Sequence, residues 1–104
     1  MKTLTHGGRQ YRPRQNAQGK LLAYASAAYG TGTHRGQMMF TVYLQVSAST
    51  GPRTKTYRVK ALRRFMNREE ATIPAQRKQL EFMLDVVATQ QDCELVLVQE
   101  MSLR

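Results

Sequence analysis

The stretch that decides the fold is Met38-Met-Phe-Thr-Val-Tyr-Leu-Gln-Val46. Within it Phe40, Val42, Leu44 and Val46 are apolar, and the residues between them are threonine, tyrosine and glutamine. Side chains of a β-strand alternate between the two faces of a sheet, so this period of two indicates one buried and one exposed face. We therefore expect a half-buried strand here, the clearest in the chain.

A further strand is predicted on each side of this stretch. Residues 20–29 are rich in alanine, which favours a helix, but their tyrosines and flanking glycines favour a strand, and we predict a strand. Residues 30–36, Gly-Thr-Gly-Thr-His-Arg-Gly, form a flexible basic hairpin loop. Residues 47–52 have the composition of a turn, and residues 53–59 alternate again as a third strand.

The pattern then becomes helical. Apolar residues recur at i, i+3 and i+4 within residues 61–68, which predicts a short first helix. A second helix is predicted to begin after Thr72 as its N-cap, with Pro74 in the first turn, and to end at residues 90–92.

The last predicted strand covers residues 93–101, and its run Leu95–Val98 is expected to be buried on both faces. These elements predict an α+β two-layer sandwich: an antiparallel meander of three strands, followed by two helices and a C-terminal strand. Residues 1–17 have no hydrophobic period and are expected to form a basic, flexible N-terminal arm. Residues 18–104 then form a single α+β domain.

Charge is distributed very unevenly along the 104 residues, whose net charge is +9. All seven acidic residues lie at or after Glu69, so residues 1–68 hold thirteen Lys and Arg and no carboxylate. Such an asymmetry indicates a surface for an anionic partner, because a fold gains little from unrelieved like charge.

Several other classes are excluded by composition and spacing. An apolar content of 41% with 22% charged residues is ordinary for a globular chain and argues against disorder and against a membrane protein. A lone Cys93 and the absence of an apolar stretch in residues 1–20 predict a cytoplasmic protein without a signal peptide. His6, His34 and Cys93 show no ligand or triad spacing, and residues 30–36 precede a strand rather than a helix. We therefore expect no catalytic residues, no metal site, no cofactor and no enzymatic activity.

Nucleic-acid binding is the main functional hypothesis. Basic residues occur on the arm, the hairpin loop, the third strand and the first helix, and eleven of the sixteen are arginines, which pair with phosphates bidentately. We predict a small non-enzymatic DNA- or RNA-binding protein that contacts mainly the phosphate backbone. Tyr43, on the polar side of its strand, is either a stacking platform or an ordinary sheet tyrosine. The predicted contact residues are Arg9, Arg12, Arg14, Arg35, Arg53, Lys55, Arg58, Lys60, Arg63, Arg64 and Arg68.

Two alternatives use the same basic residues. In the first, the chain is a protein-interaction module, such as an inhibitor or adaptor, that docks an acidic partner. In the second, it is a component of a ribonucleoprotein particle. A homo-oligomer would form if the acidic last third of one copy met the basic face of another. The distinguishing feature is whether the cations of the arm, loop and third strand form one continuous face. The sequence does not distinguish DNA from RNA or single from double strands.

Overall fold

The structure, a computed structural model, describes residues 3–50 and 52–98, with only the backbone at residues 49 and 50. Strands make up most of this part of the chain. In chain order the elements are β1 Leu4–His6, β2 Arg9–Pro13, β3 Leu21–Tyr29, a 3-10 turn Gly32–His34, β4 Gln37–Thr50, β5 Arg53–Asn67, α1 Ile73–Gln91 and β6 Leu95–Leu97. The expected α+β class, with three strands followed by two helices, is therefore wrong: the described domain is mainly β with a single α-helix.

β4 is the central strand of a six-stranded mixed sheet. One edge of β4 pairs with β5 along its whole length. The other edge pairs first with β3, through residues 38–44, and then with β2, through residues 46 and 47. β1 extends the sheet beyond β2, and β6 pairs with β3 in parallel, whereas the other pairings are antiparallel. The predicted strands at β3 and β4 are confirmed.

α1 covers one face of this sheet. The apolar residues predicted from the β4 pattern are fully buried, and they pack against Leu80, Met83 and Val87 of α1. Because directly paired residues of antiparallel strands project to the same side, the pairing register defines the face turned away from α1, which we call the open face. The open face consists of Tyr24, Ser26 and Ala28 of β3, Met39, Thr41, Tyr43, Gln45 and Ser47 of β4, and Thr54, Thr56, Arg58, Lys60, Arg63 and Phe65 of β5.

The termini of α1 are as predicted. The Thr72 side chain accepts a hydrogen bond of 3.3 Å from the Ala75 backbone N–H, which satisfies one of the free donors of the first turn. Pro74 lies in that turn, and the helix ends at Gln91 with Asp92 in the left-handed conformation as its cap. No helix within the described ranges combines the length and the apolar character needed to cross a membrane.

The first predicted helix is wrong, because its segment continues β5. Lys60 pairs with Tyr43 and Leu62 pairs with Val42, so Ala61 is one extra residue in β5. This arrangement is a β-bulge, which bends the strand and increases its twist. The bulge shifts the alternation of side chains by one position. Before it, the odd-numbered residues face α1, and after it the even-numbered residues do.

The bulge also brings apolar residues from its two sides onto one face. Val59 and Leu62 are three positions apart in sequence and yet face the same side, because the extra residue lies between them. Met66 follows on that side, with Arg64 between it and Leu62. Phe65 belongs to the opposite face, so the apolar residues that resembled one helical stripe are divided between two faces of a sheet.

The expected N-terminal arm contains a β-hairpin. Gly7 and Gly8 join β1 to β2 with φ of 59° and 76°, as a two-residue turn with both central residues in the left-handed region requires. Leu4 and Tyr11 pack against the core, and Pro13 is buried, so the segment has an apolar anchor that the sequence analysis did not expect. Its mobility stays a prediction, and residues 1 and 2 lie outside the described residues.

Two smaller expectations are also wrong. β4 continues through residues 47–50, where a turn was predicted, because its pairing with β5 extends to that end. In the last strand, Leu97 and Val98 are 38% and 48% exposed instead of buried on both faces. The reason is that β6, within the described residues, pairs with β3 alone and lies at the edge of the sheet. Residues 99–101 of that predicted strand lie outside the described residues.

Candidate functional site

Three exposed cations of β5 project from the open face. Arg58 and Lys60 are two positions apart and therefore lie on one side of the strand. Arg63 is three positions beyond Lys60, and it joins the same side because the extra residue Ala61 lies between them. The bulge thus places the three cations in one row.

Two arginines of the N-terminal segment extend this row. Arg12 pairs with Ser47, an open-face residue of β4. Arg14 donates a backbone hydrogen bond of 2.8 Å to the Gln45 carbonyl, and its guanidinium lies 3.4 Å from the hydroxyl oxygen of Thr56. The hairpin is therefore held beside β4 so that both cations reach the face that carries the β5 cations.

Carboxylates are far from this surface in the sequence. The segments that form β1 to β5 contain no Asp or Glu. Within the described residues the salt bridge is that of Lys20 with Glu94, at 3.5 Å; the Lys20 side chain is partly exposed and the Glu94 side chain is largely exposed. The five open-face cations therefore have no salt bridge to an acidic residue among the described residues.

One arginine of the row is held by an aromatic ring. The guanidinium carbon of Arg58 lies 3.8 Å from the centre of the Tyr24 ring. Arg58 belongs to β5 and Tyr24 to β3, so the arginine reaches across β4 to make this contact. Tyr24 is only 8% exposed, whereas Arg58 is exposed. A cation over an aromatic ring is an attractive arrangement, and here it fixes the position of the charged group.

A second stacked pair lies at the other end of the open face. The rings of His34 and Phe65 are parallel within 6°, with centres 3.8 Å apart. A hydrogen bond of 3.1 Å between His34 Nδ1 and Gln37 Oε1 holds the imidazole in place. Gly30 allows the 3-10 turn to fold back, because a Cβ atom at this position would collide with the His34 carbonyl oxygen.

The remaining predicted contact residues do not join this surface. Arg64 faces α1, where its guanidinium lies 4.8 Å from the Phe82 ring, and Arg68 lies 4.2 Å from the Tyr29 ring on that same side. Arg53 and Lys55 alternate in phase with Tyr57, which packs against the core. Arg9 follows the turn of the N-terminal hairpin, and Arg35 follows the 3-10 turn. The structure therefore divides the predicted set, and it brings Arg12, Arg14, Arg58, Lys60 and Arg63 together.

Sequence reasoning missed two residues of this surface, Tyr24 and Phe65. Phe65 was assigned to the buried stripe of a helix, and its true side follows from its pairing with Met39 of β4. Tyr24 could have been found, because it stands between Ala23 and Ala25, and a lone aromatic residue alternating with small ones indicates the opposite face. Tyr43 was correctly placed on the polar side: it is half-buried on the open face.

Comparison with known proteins adds no information about the role of this surface. No protein-family model, no curated protein and no solved structure matches the chain. The description as an α+β nucleic-acid-binding protein is corrected accordingly: the described chain is a small, mainly β domain with one helix, and no relative supplies evidence for DNA or RNA binding. A functional conclusion can rest only on the chemistry of the open face.

Proposed function

We propose that this chain is a non-enzymatic binding protein whose open face contacts the phosphate backbone of a nucleic acid. The observation that carries the proposal is the gathering of five cations, from the N-terminal segment and from β5, on one face of strands without carboxylates. Four of the five are arginines, whose planar guanidinium donates two parallel hydrogen bonds to a phosphate.

Neutral donors accompany these charges. The hydroxyls of Ser47, Thr54 and Thr56 lie on the open face near Arg12 and Arg14. Protein–nucleic acid interfaces commonly use such hydroxyls for phosphate contacts beside arginine and lysine. The combination favours binding that follows the backbone. Its affinity should fall steeply as the salt concentration rises, because the release of counterions from the nucleic acid then contributes less free energy. A cytoplasmic location belongs to the same proposal, because the ligand and the lone cysteine both fit a reducing compartment.

Two arginines of β5 provide a matched test. Arg58 and Arg64 lie on the same strand, each over an aromatic ring, but they face opposite sides of the sheet. Arg58→Gln should weaken binding to a labelled oligonucleotide several-fold and reduce the slope of log K against log salt by about one. Arg64→Gln removes the same charge from the other side and should leave both quantities nearly unchanged. Fluorescence anisotropy over a salt series measures both.

Three results would contradict this proposal. Equal losses in the two variants would show that affinity follows net charge alone. A larger loss from Arg64→Gln would place the interface on the α1 side. Absence of binding to any oligonucleotide at low salt, combined with salt-sensitive binding to a polyglutamate peptide, would favour an acidic protein partner. Both variants should remain folded, because exposed charge changes usually alter stability by less than about 0.5 kcal/mol. Circular dichroism of both variants checks this.

A further inference from the structure

Two planar platforms lie on the open face at a defined separation. Tyr24, under the Arg58 guanidinium, pairs with Tyr43, and Phe65, under the His34 ring, pairs with Met39. Tyr43 and Met39 are four positions apart on β4, which corresponds to about 13 Å along a strand. We call them the Arg58–Tyr24 platform and the His34–Phe65 platform.

Both platforms have the chemistry that nucleobases recognise. Unpaired bases stack on histidine, tyrosine and phenylalanine rings and on arginine guanidinium planes. Arg58 is exposed and His34 is partly exposed, so each platform has surface available to a base. Tyr43 pairs directly with Tyr24 and is half-buried, so a further aromatic ring lies beside the Arg58–Tyr24 platform. Phosphate binding alone needs cations and has no need of aromatic rings on the same face.

We infer, on the basis of the proposed function, that the ligand is a single-stranded nucleic acid whose bases stack on the Arg58–Tyr24 and His34–Phe65 platforms. The open-face cations then hold the phosphates that run between the stacked bases. In a duplex the bases stack on one another, and a protein reads them by inserting a helix or a β-ribbon into a groove. The one α-helix of the described ranges, α1, lies on the opposite side of the sheet and exposes Glu81 and Asp85, which a duplex would repel.

Three probes of equal length separate the contributions of bases and phosphates. They are a labelled oligothymidylate of about 15 nucleotides, its abasic analogue, and the duplex of the same oligothymidylate with its complement. At one salt concentration the oligothymidylate should bind about tenfold more tightly than the abasic strand, because the two strands differ only in bases that can stack. The duplex should bind more weakly than the oligothymidylate.

Matched variants locate the effect. Phe65→Leu should reduce affinity for the oligothymidylate about tenfold and leave affinity for the abasic strand unchanged, because it removes a ring and no charge. Phe82→Leu is the control, since Phe82 also lies near an arginine but belongs to α1 on the other side. It should alter neither affinity. His34→Leu removes the other ring of the platform and should reproduce the Phe65→Leu pattern, which keeps the test available if Phe65→Leu does not fold.

The failure of this inference can be distinguished from the failure of the proposed function. Equal affinities of the wild-type protein for the oligothymidylate and the abasic strand would overturn base stacking and leave phosphate binding intact. Tighter binding to the duplex, or equal losses from Phe65→Leu on both single strands, would also overturn it. No binding to any of the three probes at low salt would instead refute the proposed function.

Discussion

Replacing Thr41 by valine should make the protein more stable. Thr41 lies near the middle of β4 and is fully buried, and its hydroxyl oxygen has no hydrogen-bond partner among the residues that the structure describes. A buried polar group without a partner costs about 1–3 kcal/mol, because folding removes it from water without replacing the lost hydrogen bond. Valine keeps the branched shape and the preference for strands and removes the polar atom.

The size of the effect follows from these terms. Thr41→Val should raise the free energy of unfolding by about 1–2 kcal/mol. This gain is smaller than the full cost of an unpaired buried group, because a methyl group must occupy the space of the hydroxyl. For a domain of this size, each kcal/mol corresponds to about 4–8 °C in melting temperature. Urea titration followed by far-ultraviolet circular dichroism should show a higher midpoint and the same slope, since the exposed area of the unfolded chain hardly changes.

Thr41→Ser is the control for this measurement. Serine keeps the hydroxyl and loses one methyl group, so it should lower stability by about 1 kcal/mol. If valine is no more stable than threonine while serine behaves as expected, the hydroxyl has a partner and the reasoning is refuted. Oligonucleotide binding should be unchanged in Thr41→Val, because Thr41 has no surface available to a ligand.

Two further predictions concern local structure. Thr72→Ala should lower the free energy of unfolding by about 1 kcal/mol, because it removes the N-cap hydrogen bond. Thr89→Ala is the control and should lower it by less, because the Thr89 hydroxyl donates to the Asp85 carbonyl within the same helix. Thermal unfolding of both variants measures this, and equal losses of stability would contradict it. Gly30→Ala should destabilise the domain more than Gly8→Ala, because a Cβ at Gly30 would collide with the His34 carbonyl oxygen. A Cβ at Gly8 would have no atom of the described residues within 4 Å, and only the φ of 76° is unfavourable there. Urea midpoints compare the two glycine variants, and a larger loss at Gly8 would contradict the expected order.

The core of the sheet could be predicted because one stretch has an unambiguous period. Phe40 to Val46 alternates without interruption, and its apolar half is the part that α1 covers. β3 is less regular, and its alanines have high helix propensity. It is a strand because Ala23, Ala25 and Ala27 are buried in the core beside large residues of β4, so packing overrides local preference.

The bulge could not be predicted from the residues around it. Ala61 is an ordinary residue, and the extra position is defined only by the pairing of β5 with β4. The apparent helix has a separate cause: Leu62 and Met66 face α1 while Phe65 faces the open side, so apolar residues on both faces of one strand have helical spacing. The N-terminal hairpin is a different case: Gly7-Gly8 is a recognised two-residue turn signal, but the strands beside it are short and polar.

The candidate surface was predictable in composition and unpredictable in geometry. The sequence places thirteen cations before residue 69. The pairing of the strands then determines which of those on the sheet project from the open face and which face α1. Arg63 and Arg64 are adjacent in sequence, and both were predicted to contact the ligand together. In β5 adjacent residues face opposite sides, so that one joins the open face and the other packs beside α1.

This sorting separates stability from binding along β4. Even-numbered residues from Phe40 to Val46 are buried against α1, so truncating them should lower stability, whereas Tyr43 and Gln45 are only half-buried on the open face. Substitutions at those two positions should therefore alter affinity at little cost in stability. Arg58 and Phe65 are constrained in another way, because their partners Tyr24 and His34 lie on other elements. The platforms consequently depend on the fold as a whole, and a variant that loosens the sheet should lose base stacking before it loses attraction to phosphate.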